Sequence, residues 1–245
     1  MEVKAEKIEP YGDGRAKGEQ VREMFDSIAP AYDFMNRAMT MGIDRVWRRR
    51  AVRAVAATAP KHVLDIATGT GDVAIAIAKA LPDAEVTGID LSEGMIAVGR
   101  RKVGAAGLDG RVRLRRGDSL AIDMPDNSVD AVTVAYGVRN FEHLDRGYAE
   151  MMRVLKPGGM LCVLELSTPR GRLTGPLYRL YTRYVIPAVG RLVSRDVRAY
   201  SYLPESIAAV PQGEQMCALM LAAGASDARF RAMTFGACTL YIANK

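Results

Sequence analysis

Long apolar runs are missing from this 245-residue chain. None approaches the roughly 18 residues that a bilayer-spanning helix needs. The opening MEVKAEKIEPYGDGRAKGEQ is charged and polar. It lacks the apolar centre of a signal peptide and the Arg/Ser bias of a transit segment, so a cytoplasmic protein is expected. Cysteine is scarce: Cys162, Cys217 and Cys238 stand far apart and are odd in number. That excludes a disulfide framework and any zinc-type spacing, and leaves small buried hydrophobes in a reducing compartment. Histidine is scarcer still. His62 precedes a strand and reads as a surface residue, and His143 reads as a helix entry. No ligand cluster is present, so no metal is expected. Negative charge is in modest deficit, with 28 acids against 34 Lys and Arg and a net charge of +6. This permits an acidic partner without requiring one. The arginines at 45, 48, 49, 50 and 53, and those at 111, 113, 115 and 116, read as solvated faces. Only Trp47 is interleaved with them, where a single-strand binder needs stacking aromatics, so no nucleic acid is expected.

What is present is an ordered alternation. Residues 1–20, with Pro10 and glycines at 12, 14 and 18, read as irregular. Helix is expected over 21–29, stopped at Pro30, and over 42–57. From His62 the pattern becomes strand 62–66, helix 71–80, strand 85–90, helix 93–103, strands 111–116 and 129–135, helix 142–155 and strand 159–166. Such alternation specifies a mostly parallel sheet with helices on both faces. A helix near 212–223 ends at Gly224, and strands near 228–233 and 236–243 follow, joined by Phe235-Gly236. Those two should pair as an antiparallel hairpin.

The stretch Val63–Asp90 carries the chemistry. VLDIATGTGD ends a strand in Asp65, turns through Gly69, Thr70 and Gly71, and opens a helix; a second strand ends in Asp90. Glycine lets a ligand approach the backbone, and a helix start offers free N–H groups. Gly69 to Ala74 also fits the dinucleotide pattern G-x-G-x-x-G/A, with Asp90 placed for a ribose hydroxyl. Two further acids favour a different cofactor. Asp65 closes the first strand, and Asp118, next to Ser119, follows the third. Ligands of open α/β sheets lie along the carboxyl ends of the strands. There Asp65 can face an ammonium, Asp90 a ribose diol and Asp118 an adenine amino group. That set suits S-adenosylmethionine, whereas a pyrophosphate is poorly served by extra carboxylates.

DIATGTGD, GDSLAIDMPDNSVD (117–130) and RVLKPGG (153–159) resemble the class I S-adenosylmethionine-dependent methyltransferases. VREMFDSIAPAYDFMN (21–36), YGVRN (136–140) and YSYLPESI (200–207) are similar to the menaquinone/ubiquinone C-methyltransferase family, a likeness that covers residues from about 20 to 240. The resemblance implies a Rossmann-like α/β fold, a seven-stranded mostly parallel sheet with a C-terminal antiparallel hairpin and helices on both faces. It implies a helical extension and substrate lid over residues 1–60, and a methyltransferase domain over 61–245. Cofactor contacts carry over to Thr70, Asp90, Asp118 and Ser119. Ala67 stands at the first small position of the glycine motif, Ala135 where some relatives have Ser, and LYIANK lacks a His-Gly pair common in relatives.

The implied activity is methyl transfer from S-adenosylmethionine to a ring carbon of a prenylated quinol, with demethylmenaquinol preferred to the benzoquinol precursor of ubiquinone; an RNA methyltransferase, favoured by the arginines, is the other alternative. Arg139 and Asn140, directly after the fourth strand, are expected to hold the substrate oxygen or a water beside it, with Tyr32 as a third candidate. Residues 170–203 interrupt the alternation. They hold seven arginines against the single acid Asp196, and five of the ten tyrosines. Leu177, Leu180, Tyr181, Tyr184 and Val185 recur at helical spacing. This stretch reads as a substrate lid with transient contact to an anionic membrane surface. The sequence leaves homo-oligomerisation open.

Overall fold

Period-two alternation decides which way each strand faces. In β1 (His62–Ile66), Leu64 and Ile66 enter one apolar layer and Val63 the opposite one. In β5 (Leu155–Leu166), Leu161 and Val163 match the first layer, and Cys162 and Leu164 the second. A strand apolar on both faces belongs in the interior of a sheet covered twice. The computed structural model describes residues 3–185 and 197–245. Among them β1, β2 (Glu85–Asp90), β3 (Val112–Arg116), β4 (Val129–Ala135), β5, β6 (Asp227–Met233) and β7 (Cys238–Asn244) form one sheet, ordered β3-β2-β1-β4-β5-β7-β6. The first five are parallel; β7 runs antiparallel between β5 and β6. Met233 pairs with Cys238 beside the Phe235-Gly236 turn, as the hairpin reading requires.

Helices α3 (Asp44–Ala56), α4 (Asp72–Ala80) and α5 (Glu93–Ala105) cover one face; Trp47, Val55, Ile77 and Ile96 seal that layer. Helices α6 (Leu144–Val154) and α9 (Glu214–Ala222) cover the other with Leu144, Met151 and Met216. Burial of one such side chain is worth about 1.5–3 kcal/mol. Arg111 does not stay on a solvated face. Its guanidinium donates to the carbonyls of Ala78 at 2.8 Å and Leu81 at 3.1 Å, satisfying acceptors that the end of α4 leaves free.

The N-terminal region is more ordered than its composition implies. Lys4–Lys7 makes a 3₁₀ turn, and α1 spans Lys17–Ile28. The Gln20 amide is buried: its oxygen accepts from the backbone of Tyr11 and Gly12, and its nitrogen donates to Glu9 and the Arg15 carbonyl. One fully used side chain thereby fixes a glycine-rich loop. Two further helices lie where none was expected, α2 (Tyr32–Thr40) and α8 (Val197–Ala209), the latter with Pro204 inside it. Met35 and Tyr202 of these helices share a buried cluster with Met24, Ile28 and Met95, so packing overrides weak local signals. A short helix, α7 (Thr174–Leu180), continues into a wider π-type turn over Tyr181–Val185. Of the Arg- and Tyr-rich stretch, 186–196, with Arg191, Arg195 and Asp196, lies outside the described residues.

Candidate active site

Strand order reverses between β1 and β4, and crevices in open α/β sheets form at that point beyond the strand ends. A cavity of about 310 Å³ lies there. Gly69, Asp90, Asp118 and Ser119 wall it from the sheet side, and Gly18, Val21 and Phe25 of α1 cover it. Asp90 is its electrostatic centre. One carboxylate oxygen accepts from the Gly69 N–H at 2.8 Å, the other from the Ser92 N–H at 2.9 Å. Each oxygen retains a lone-pair site, so the carboxylate still fits a vicinal diol. Burial raises its pKa above the usual carboxylate value, and the two N–H donors work against that rise. At Gly69, with φ of +55°, an added Cβ would meet nothing within 4 Å. The backbone is therefore bare on the side a ligand approaches. Asp118 accepts from the Leu120 N–H at 2.8 Å through one oxygen. These acceptors match the ribose hydroxyls and the adenine amino group of S-adenosylmethionine.

Asp65, Thr70 and Gly71 stand behind this wall rather than in it. Asp65 is buried, with one oxygen accepting from the Thr133 hydroxyl and the other from the Thr68 hydroxyl, each at 2.5 Å. Burial pushes its carboxyl up to about 6. It braces the turn against β4. The Thr70 hydroxyl donates to Asp33 at 2.6 Å and accepts from Lys102 at 3.0 Å. Lys102 also pairs with Asp33 and Asp72, and Arg48 joins Asp72 to Asp44. This charged chain clamps α2 and α3 onto the glycine turn. Gly71, with φ of +77°, opens α4, where a Cβ would lie 3.0 Å from Leu114.

A second cavity, about 500 Å³, adjoins the first. Its walls are mainly apolar, with Met39 and Ile43 on one side and Leu166, Leu177 and Ile207 on the other. Tyr32 and Tyr136 line both cavities and mark the boundary, while Asn140 lines the first and Arg139 the second. Burial raises the Tyr32 phenol, which keeps it a proton donor. Tyr136 has φ of +58°, a left-handed conformation costly for a bulky residue. Its carbonyl accepts from the Arg139 guanidinium, and at 3.5 Å from the Asn140 amide. Asn140 in turn accepts from the Tyr202 hydroxyl at 3.1 Å.

Arg139 is 5% exposed and lines the apolar cavity. Burial opposes its charge, but Glu165 holds the guanidinium protonated, with one oxygen accepting from Nη1 at 2.9 Å and the other from the Arg139 backbone N–H at 3.2 Å. Among the described residues two buried donors have no conventional hydrogen-bond partner: Arg139 Nε and the Tyr136 hydroxyl, which has only the weakly accepting Cys238 thiol beside it. Buried polar groups are nearly always satisfied, so two orphans in one wall point to acceptors that a substrate brings. The sequence reading did not assign Tyr136, Tyr202 or Glu165. The tyrosines lie within YGVRN and YSYLPESI, while Glu165 shows only as an acid inside the apolar run MLCVLEL.

The model of the ubiE/COQ5 methyltransferase family matches residues 14–245. The chain belongs to this family. It is 48% identical over 245 residues to the demethylmenaquinone methyltransferase of Bacteroides fragilis, covering 100% of both chains. It is 46% identical over 230 residues to the ubiquinone/menaquinone biosynthesis C-methyltransferase UbiE of Geobacter sulfurreducens, covering 94% of this chain and 90% of that one. Among solved structures, the [4+2]-cyclase SpnF superposes with a TM-score of 0.67 at 18% identity, over 93% of this chain and 96% of that chain. A SAM-dependent methyltransferase from Aquifex aeolicus gives 0.54 at 22%, over 75% and 81%. These likenesses establish the class I methyltransferase fold. As a member of the ubiE/COQ5 family the chain is an S-adenosylmethionine-dependent C-methyltransferase. No helix among the described residues is long and apolar enough to cross a membrane.

Proposed function

We propose that this methyltransferase moves the methyl group of S-adenosylmethionine to a ring carbon of demethylmenaquinol, giving menaquinol. The observation that carries the reading is the meeting of two unlike cavities at Tyr32 and Tyr136: one lined by acids, the other apolar with a buried cation in its wall. The acidic cavity suits a nucleoside with an amino-acid tail, and the apolar one a ring bearing a prenyl chain.

S-adenosylmethionine supplies an electrophilic methyl group. A quinol carbon becomes a sufficient nucleophile once the neighbouring ring hydroxyl gives up its proton. Arg139 stabilises that oxyanion through Nε, a buried donor with no partner among the described residues, because a buried cation acts strongly where water is excluded. Guanidinium is a poor base, so Arg139 supplies charge and leaves the proton to a water held by Asn140 and the protonated Tyr32. The carbon–carbon bond forms as the sulfur–methyl bond breaks with its electron pair left on sulfur, giving S-adenosylhomocysteine; the ring carbon then gives its proton to water, which restores aromaticity, and the ring oxygen takes a proton back as the hydroxyl. Aligning ring and methyl group across the Tyr32–Tyr136 boundary is worth as much as about 7–11 kcal/mol. The relative from Bacteroides fragilis supports the naphthoquinol assignment. A prenylated substrate resides in a bilayer, so the enzyme acts at the membrane surface from the cytoplasmic side. Parallel turnover assays with demethylmenaquinol and the benzoquinol precursor of ubiquinone test this. Higher kcat/KM for demethylmenaquinol is expected; preference for the benzoquinol sinks the substrate assignment.

A further inference from the structure

Large apolar side chains stand in water around the mouth of the second cavity. Phe235 is 82% exposed, Met41 79% and Leu173 87%, with Leu177, Leu180 and Tyr184 also exposed. They come from three separate places: the β6–β7 turn, the end of α2, and the stretch running into and along α7. Phe235, Met41 and Leu177 line the cavity itself. Two of these tips are held in strained backbone. Met41 has φ of +50° and Phe235 +57°, the region where bulky side chains are disfavoured. Stability would favour glycine there, and solubility a polar residue. Met41 is the left-handed cap of α2, and an apolar side chain kept at such a cap or turn tip is held out from the surface.

Charge surrounds the same mouth. Arg170, Arg172 and Arg179 are exposed, and residues 169–185 contain no acid. Arg45 and Arg49 are exposed on the first turns of α3, just past Met41. The acid between them and Met41, Asp44, is buried and paired with Arg48. The rim is thus apolar at its tips and cationic at its base. This matches a surface that is anionic outside and hydrocarbon within.

We propose that the mouth of the apolar cavity is a bilayer-docking face. Met41, Leu173 and Phe235 enter the headgroup–acyl boundary, the arginines engage anionic headgroups, and a prenyl tail passes from hydrocarbon into the cavity without crossing water. The tail's part in this rests on the quinol reading, whereas docking stands on the rim itself. The face commits to lipid because its apolar groups sit on separate loop tips ringed by one sign of charge, with a lipid-shaped cavity opening between them.

The test uses the full chain with vesicles of phosphatidylcholine alone and of phosphatidylcholine mixed equally with phosphatidylglycerol. Flotation should recover the parent with the anionic vesicles and far less with the neutral ones. Arg172→Glu with Arg179→Glu should weaken anionic-vesicle binding by roughly five-fold or more for each charge removed. Leu173→Glu with Leu180→Glu, neither of which lines a cavity, should abolish it. Both variants should still methylate a tail-less demethylnaphthoquinol in solution and lose turnover of long-tailed quinol in vesicles. A parent that ignores both vesicle types, or leucine variants that float as the parent does, overturns the proposal. So does a parent that sediments as a dimer split by Leu173→Glu, which would make the face an interface between copies. Vesicle binding without methylation of any quinol upholds docking and defeats the substrate assignment instead.

Discussion

The Arg139 guanidinium donates to Glu165 Oε1 at 2.9 Å, and both side chains are buried. A candidate catalytic cation is therefore half of an ion pair inside the protein. Removing one partner strands the other charge, at a cost of about 3–5 kcal/mol, whereas replacing both with apolar residues is near neutral. Arg139→Ala should lower the unfolding free energy by about that amount. Arg139→Leu with Glu165→Leu should recover most of it while turnover stays down about 10²–10³-fold. Urea unfolding alongside steady-state assays separates the two effects. Turnover that returns with stability would remove Arg139 from the chemistry.

Asp90→Ala should weaken cofactor binding, at some cost in stability. It deletes the acceptor of two backbone N–H groups and of the proposed ribose contacts. Hydrogen bonds to a charged group are worth about 1.5–3 kcal/mol each, so losing two ribose contacts should raise the Kd for S-adenosylmethionine by roughly 100-fold or more. Calorimetry measures it, and an unchanged Kd contradicts the ribose assignment.

Tyr136→Phe separates folding from binding. The hydroxyl is buried without a conventional partner, so its loss should leave stability unchanged or raise it by about 1 kcal/mol. If the orphan donor awaits a quinol oxygen, KM for quinol should rise roughly two- to ten-fold. An unchanged KM would leave the hydroxyl without a role in substrate binding.

Asp65 gives a pH signature. Its carboxyl is raised to about 6 in the folded protein, against an ordinary 3.8. The folded state then holds the proton more tightly than the unfolded one. That contribution to stability is full below about 4 and is lost as pH rises through about 6; the difference corresponds to about 3 kcal/mol. Asp65→Asn should remove this loss. The unfolding free energy of the variant relative to the parent should climb between pH 4 and pH 7, as denaturant titrations at each pH would show. A flat difference would mean that Asp65 titrates normally.

The sheet was legible because its central strands are apolar on both faces, its edge strand β3 alternates Val112 and Leu114 with arginines, and its turns carry glycine, so period and punctuation agree from His62 to Leu166. Asp90 and Asp118 reach the cavity from strand ends, as strand-end logic expects. Asp65 also ends a strand, but its side chain falls on the covered face, where Thr68 and Thr133 consume it. Spacing alone does not tell these cases apart. Helix α2 was hidden because Pro30 reads as a stop and the nine residues of Tyr32–Thr40 are too few to show a strong period. Glu165 was hidden because one acid in an apolar strand carries no pattern; its partner arrives from another strand end.

The position of a transferred label shows whether a ring carbon is the methyl acceptor. The chain is incubated with methyl-labelled S-adenosylmethionine and demethylmenaquinol, and the product is read by NMR. The label is expected on a ring carbon of the naphthoquinol, with both ring oxygens unmethylated. Label on oxygen, or no label in the quinol, would contradict it.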